Sequence, residues 1–332
     1  MILIITKSND EHSRLVIDSL QQLHAQFVCL VTDASPAATL NTVYFDGSSY
    51  SLTNNSNGSI NLNEIQTVWY RREGSPSIPG LAIDDQLFVQ TEQKHFLRGL
   101  WHLLKDRFWI NPLLATEAAE WKPYQLRVAQ QVGFSIPKTS MTNDPEQAIA
   151  FFDKCDGQVI YKTFSQHCRK NESGGHSGVY TNRVTREHLL QHKDQIRTSA
   201  CIFQEYIPKQ SEIRVTVIGQ KIFAIEIDAQ KSTRAKDDWR RYDLAHTTFQ
   251  VHNLPYPIKL RITELLRQLK LVFGCIDLIV TPDNQYIFLE INPMGQWYWA
   301  EALTGGAMLD SFVQMLMQGE QSMLPLGADD KL

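Results

Sequence analysis

No Cys-x-x-Cys pair occurs among the five cysteines, which are odd in number and scattered along the chain (Cys29, Cys155, Cys168, Cys201, Cys275). That spacing gives no disulfide framework, and reduced thiols are the expected state. His167, Cys168 and His176 are groups of metal-binding type, but no fourth ligand stands at a zinc-like spacing beside them. Basic charge is not in excess either: the formal net charge is −4, which offers no field for DNA or RNA. No apolar run is long enough for a membrane span or a signal peptide, and Met1 to Ile5 opens directly as a strand, so a cytoplasmic protein is expected. Also lacking is a Gly-x-Gly-x-x-Gly after that strand. Residues 6–10 read Thr-Lys-Ser-Asn-Asp instead, which argues against a dinucleotide site.

What is present is a chain of 332 residues with 43% hydrophobic and 20% charged side chains, enough for two or three domains with sizeable cores. Residues 1–115 alternate strand-like and helix-like runs. A strand over 3–5, an amphipathic helix over 12–23 with Leu15, Val16, Ser19, Leu20 and Leu23 on one side, and a strand over 27–31 make a βαβ opening and predict a parallel sheet. The Ser/Asn/Gly-rich stretch 48–63 reads as a loop with at most an edge strand. A strand over 67–72 delivers Arg71 and Arg72 at its end. These suit either a solvated strand end or a clamp for a carboxylate. A helix over 88–104 follows, and Pro112 marks a boundary.

The second unit, 116–203, opens with a helix over 117–132 that contains Lys122. Asp144 and Pro145 give an N-cap and first helical position. Lys162 ends an apolar strand, placed either to snorkel or to hold a phosphate as a point charge. Residues 171–178 form a Gly/Ser tip that suits a lid over phosphates or a plain hairpin tip. The third unit, 204–325, starts at the end of the strand 200–208, where backbone groups can pair with a flat heterocycle. Paired strands follow at 212–218 and 221–228. A charged loop carrying Arg240 and Arg241 comes next, and then a helix over 258–271. A last helix spans 307–317, with Met308, Met315 and Met317 expected in packing.

Residues 273–296 are the most informative. Two β-rich runs flank Thr281-Pro-Asp-Asn-Gln285, which reads as a turn. In a hairpin centred between Asp283 and Asn284, Asp277 falls opposite Glu290, and Asn292 shares their face. Ile276, Leu278, Val280, Ile287, Leu289 and Ile291 make the oily face. Two facing carboxylates need a positive group between them, and an all-oxygen set suits a hard cation such as nucleotide-borne magnesium. A hairpin with a polar solvent face is the other reading of this pair.

The order of parts (βαβ unit, Lys122, Lys162, Gly-rich tip, Gln204-Glu-Tyr-Ile207, Glu212, Arg214, Arg240, Asp277, Glu290, Asn292) resembles the ATP-grasp ligase superfamily over nearly the whole chain. The resemblance implies a three-domain ATP-grasp architecture, α/β overall and α+β in the ATP-grasp part, with an N-terminal parallel-sheet domain. It also implies ATP and Mg2+ as cofactors. Lys122 and Lys162 would hold phosphates, Gln204 with the backbone of Glu205, Tyr206 and Ile207 would bind adenine, and Glu212 would take the ribose. Asp277, Glu290 and Asn292 would be the metal ligands.

Val68-Trp-Tyr-Arg-Arg72, Trp121-Lys-Pro-Tyr-Gln-Leu-Arg127, Tyr161-Lys-Thr163, Gly178-Val-Tyr-Thr-Asn-Arg183 and Asp238-Trp-Arg-Arg-Tyr-Asp243 resemble the graspetide, or microviridin-type, macrocyclases. These act on a ribosomal precursor peptide, recognise its leader, and join core Asp or Glu side chains to Thr/Ser hydroxyls or Lys amines. The implied catalytic groups are Arg214, Arg240 and Lys162. Substrate contacts would come from Arg71, Arg72, Arg214, Arg240 and Arg241, with leader recognition by the hairpin 164–182. A homodimer is implied as well. Cys275 stands where D-alanine ligases carry an arginine, two residues before the first metal aspartate, which speaks against simple dipeptide ligation. A RimK-like or glutathione-synthetase-like amino-acid ligase and a non-catalytic nucleotide-binding scaffold are the alternatives.

Overall fold

A computed structural model describes residues 1–34, 40–47, 49–54, 57–76, 78–165, 168–170, 176–178, 181–235, 237–241 and 243–323. The Gly/Ser tip at 171–175, His167, Val179, Tyr180, Lys236 and Tyr242 lie outside them, and with them the lid reading, the zinc reading and part of the leader hairpin.

The N-terminal strands behave as their continuous Ile/Leu/Val runs predict for a sheet covered on both faces. β1 (Ile2–Thr6), followed by α1 (Glu11–Gln22), pairs in parallel with β2 (Phe27–Val31). The 48–63 stretch differs from expectation. β3 (Asn41–Asp46), β4 (Ser49–Asn54) and β5 (Gly58–Asn61) form an antiparallel sheet of their own. Leu52 and Ile60, with Leu62 just after β5, are buried in the cluster that holds Leu97 and Trp101, while Tyr44 and Phe45 of β3 stay exposed, and those three buried residues anchor the meander. β6 (Thr67–Tyr70), α2 (Ile83–Leu103) and β7 (Phe108–Ile110) complete the parallel sheet in the order β2-β1-β6-β7. Along α1, Val16 and Leu20 are buried as expected, but Leu23 at the frayed end is exposed, and the polar His12 and Ser13 are buried instead.

The helix expected over 117–132 is two helices, α3 (Leu113–Glu120) and α4 (Lys122–Gln131), broken at Trp121. Pro123 lacks an N–H and would clash with the preceding turn, so it is accommodated only in the first turn of a new helix. Lys122 is therefore a helix start rather than a mid-helix residue. β8 (Thr139–Thr142), α5 (Pro145–Lys154) capped by Asp144, β9 (Val159–Lys162), the short pair β10 (Cys168–Lys170) and β11 (His176–Gly178), β12 (Asn182–Arg183), α6 (Arg186–Gln191), α7 (Lys193–Thr198) and β13 (Cys201–Glu205) follow. They build a sheet in the order β12-β9-β13-β8.

β14 (Ser211–Ile218), β15 (Lys221–Asp228), β16 (Thr248–Val251), α8 (Tyr256–Leu269), β17 (Phe273–Val280) and β18 (Tyr286–Asn292) give an antiparallel sheet in the order β16-β15-β14-β17-β18. Ile262, Leu265, Leu266 and Leu269 of α8 pack on one face of it. α9 (Ala307–Gln318) closes the fold. Met308 and Met315 are buried, and Met317 is exposed on the far side of the helix. Among the described residues no helix is long and apolar enough to cross a membrane.

Candidate active site

The hairpin of β17 and β18 turns at Asn284, whose φ of +59° is the left-handed conformation Asn tolerates in turns. Asp277 pairs directly with Glu290, as the sequence predicts. The register reaches that match through a bulge, because Leu278 pairs with Phe288 and Leu289 is the extra residue. One correction follows for the oily face. Phe288 is buried in the core, while Leu289 turns with Ile279 into the cleft.

β18 is an edge strand, so the backbone groups on its outer side need partners. Ser135 O accepts from Phe288 N at 2.9 Å, and at Ile291 the partner is Gln125, buried on α4: its Nε2 donates to Ile291 O at 2.8 Å and its Oε1 accepts from Ile291 N at 3.2 Å. Ile291 lies between Glu290 and Asn292, so this one amide fixes the strand carrying both. Three residues earlier on the same helix face, Lys122 Nζ meets Glu290 Oε2 at 2.6 Å. Asn292 Nδ2 lies 3.4 Å from Glu290 Oε1. Gln125 was not singled out in the sequence; its helical spacing from Lys122 is the signal that was there to find.

Each facing carboxylate has its own cation. Arg214, the cross-strand partner of Asp277, places Nη1 at 2.8 and 2.9 Å from its two oxygens. Burial opposes the Arg214 charge, but Asp277 outweighs it and holds the guanidinium charged. Burial likewise opposes ionisation of Glu290. Lys122, Lys162 and Arg240 overcome it and hold the carboxyl well below the usual range. The Lys162 side chain makes no hydrogen bond or ion pair among the described residues, and burial pushes its ammonium down. Arg240 is gripped by Asp238 through two charge-assisted bonds, Nε to Oδ1 at 2.8 Å and Nη2 to Oδ2 at 2.7 Å.

Of these groups Lys162, Asp238, Arg240, Asp277 and Glu290 line one cleft with Gln204, Glu205, Tyr206, Ile207 and Glu212, and Lys122 and Arg214 stand behind Glu290 and Asp277. Gln204 Nε2 donates to Thr139 Oγ1 at 3.0 Å, whereas its buried Oε1 has no partner among the described residues. A buried acceptor left open is costly unless a ligand donor meets it. The Ile207 N–H bonds no other backbone group among the described residues. Tyr206 is covered by Arg183, whose guanidinium carbon lies 3.6 Å from the ring centre, and Arg183 also pairs with Asp237 at 3.2 Å. Glu212 is held by Lys209 at 2.6 Å; burial pushes its carboxyl up and Lys209 opposes this.

Three of the expected substrate arginines stand differently. Arg71 is buried outside the cleft, with Nε on Asp10 Oδ1 at 3.2 Å and Nη1 on Met294 O at 2.8 Å. Arg72 is half-buried; its backbone N–H donates to Ile5 O at 3.4 Å, and its side chain makes no hydrogen bond among the described residues. Arg241 donates to Thr181 O and Asn182 Oδ1 at 2.7 and 2.6 Å, binding the strand end beside the cleft. Cys275 is fully buried under Gly295, where an added Cβ would fall 2.3 Å from Cys275 Cβ. An arginine at 275 has no room there, and the guanidinium beside Asp277 comes from Arg214 on the next strand.

Residues 1–117 match the family model of the MvdD pre-ATP grasp domain. Among solved structures, the macrocyclase MdnB from Microcystis aeruginosa MRC is 30% identical, with 96% of this chain and 99% of that chain covered and a TM-score of 0.80. Macrocyclase MdnC from the same organism, solved with its precursor peptide MdnA, is 29% identical over 95% of this chain and 98% of that one, TM-score 0.82. A Chryseobacterium gregarium RiPP-associated ATP-grasp ligase, solved with ADP and a leader and core peptide, is 29% identical over 95% and 96%, TM-score 0.85. No curated protein matches the chain. Fold and site together define an ADP-forming ATP-grasp ligase. Within that class the chain belongs to the graspetide macrocyclases, the family of MdnB and MdnC.

Proposed function

We propose that the chain is an ATP-dependent peptide macrocyclase. It activates core Asp or Glu side chains of a ribosomal precursor peptide as acyl phosphates and joins them to Thr/Ser hydroxyls or Lys amines. The observation that carries this reading is the single cleft that gathers the open Gln204 acceptor, Lys162, Arg240 and the facing Asp277 and Glu290. Residues 1–115, 116–203 and 204–325 are its three domains, and a homodimer is the assembly expected of it.

Among the described residues no cluster of three or more His, Cys, Asp or Glu is set for a metal ion. The Asp277, Glu290 and Asn292 set nevertheless fits magnesium: all its donors are oxygens, with two carboxylates facing each other. Bound there, magnesium would screen the repulsion between two anionic reactants. Lys122 and Lys162 hold positive charge beside Glu290 for the phosphates, and Gln204 Oε1 accepts from an exocyclic amine of the base. Arg214 and Arg240 orient the substrate carboxylate for attack on the γ-phosphorus, with ADP leaving. The hydroxyl or amine then attacks the acyl carbon, phosphate leaves, and the proton passes to a phosphate oxygen. Both groups lie on one peptide, which supplies the proximity.

Incubation of the purified protein with ATP, magnesium and its precursor peptide tests the reading by mass spectrometry. One water mass should be lost per linkage, and Glu290→Gln should abolish the loss. A mass gain would instead indicate an amino-acid ligase, and nucleotide binding without any mass change a scaffold.

A further inference from the structure

Beyond the cleft, the chain leaving β18 runs through residues 293–298 with its backbone held by side chains from the first 111 residues. Asn111 Nδ2 donates to Pro293 O at 2.9 Å, and Arg71 Nη1 donates to Met294 O at 2.8 Å. His12 Nε2 accepts from both Trp297 N and Tyr298 N at 3.2 Å. Between these anchors, Gln296 O accepts from Arg214 Nη2 at 3.0 Å.

The anchors are themselves fixed. Asp10 caps α1 through Ser13 N at 2.8 Å and takes Arg71 Nε on the same oxygen. The His12 ring packs edge-on against Trp297, with centroids 5.5 Å apart. Asp10, His12 and Arg71 are all buried. Docking of two units needs only area. Here donors and acceptors are aimed at individual backbone atoms of one short segment.

The geometry at Arg214 explains why that segment matters. Both Asp277 oxygens meet the same nitrogen, Nη1, so the ion pair alone is a single point about which the guanidinium plane can turn. The Nη2 bond to Gln296 O is the second point that sets the plane. We propose that His12 and Arg71 are positioning residues of the ligation: by fixing 294–298 they place the Gln296 carbonyl that orients Arg214 against Asp277. This rests on the ligase reading of the cleft, and it gives the N-terminal unit a part in the chemistry beyond docking.

The test measures peptide-dependent ADP release by the full chain carrying His12→Phe or His12→Gln. H12F keeps the ring and removes the acceptor. Its kcat should fall about 10-fold or more, while KM for ATP stays within about 2-fold. H12Q, whose amide oxygen reaches the position of Nε2, should recover most of kcat. Combined with Arg214→Lys, H12F should cost nothing further, because both changes act through one guanidinium. A lowered melting temperature with unchanged kcat, or a double variant as slow as the product of the two effects, would overturn the proposal. Should H12F not fold, Arg71→Lys gives the same reading: a fall in kcat at constant KM for ATP supports it, and an unchanged kcat overturns it. Absence of peptide-dependent ADP release from the unsubstituted chain would instead overturn the ligase reading beneath it.

Discussion

Gln125 and Ile291 are joined by two hydrogen bonds, amide to peptide, so that a helix side chain completes the free edge of a strand. Truncation to Ala would strand a buried N–H and C=O between Glu290 and Asn292, the two residues of β18 proposed as metal ligands. Gln125→Ala is expected to lower stability by about 2 to 3 kcal/mol, read from denaturant unfolding. Ligation should fall further than the folded fraction alone explains, because Glu290 and Asn292 lose their fixed strand.

Gln204 offers the opposite case. Its Oε1 has no partner among the described residues, so replacing it removes an acceptor that they do not use. Gln204→Leu should therefore weaken nucleotide affinity by about 10-fold, the worth of one buried hydrogen bond. Unfolding stability should change by no more than about 1 kcal/mol, the share of the lost bond to Thr139. Calorimetric titration with ADP, beside thermal unfolding, separates the two. A loss of stability with unchanged affinity would place the base elsewhere.

How far the sequence could be read depended on the range of the interaction. The βαβ opening and the Asp277/Glu290 match follow from local periodicity, and both are present. The bulge at Leu289 is set by how the sheet seats Phe288 against the α8 core, which no strand pattern carries. The meander was hidden because the polar composition of 48–63 reads as loop, while Leu52, Ile60 and Leu62, buried in the core, decide it. Arg71 and Arg72 stand side by side in sequence and differ in burial and partners, since only Arg71 meets Asp10 and Met294 from distant parts of the chain. Assigning one role to both was beyond a local reading.

His12 makes stability depend on pH. Burial, with help from Arg71 and Arg72 and against Asp10, lowers its pKa from 6.5 to about 4. Between those values the unfolded chain binds a proton that the folded chain excludes. The contribution is therefore whole above the unfolded value and is lost as pH falls toward about 4. Over the full window it amounts to about 3 kcal/mol. Denaturant unfolding of the unsubstituted chain and of H12Q, compared at about pH 7 and about pH 5, should show the steeper acid loss in the former. Parallel slopes would mean that His12 is protonated in the folded chain.

Gly295 lies so close to Cys275 that an added Cβ would sit 2.3 Å from Cys275 Cβ and 2.6 Å from its sulfur. Neither group can yield: Cys275 is fully buried in a central strand, and the segment 293–298 is held by Asn111, Arg71, Arg214 and His12. Gly295→Ala should cost about 1 to 3 kcal/mol, as overpacking of a rigid core does. It should also slow ligation, because relief of the clash displaces the Gln296 carbonyl from Arg214. Removing the opposing Cβ with Cys275→Gly should recover part of the loss, although Asn292 O, 3.2 Å from the added Cβ, still limits it. A G295A chain as stable and as active as the unsubstituted one would show that the segment can shift without disturbing Arg214, and would weaken the link between the N-terminal unit and the cleft.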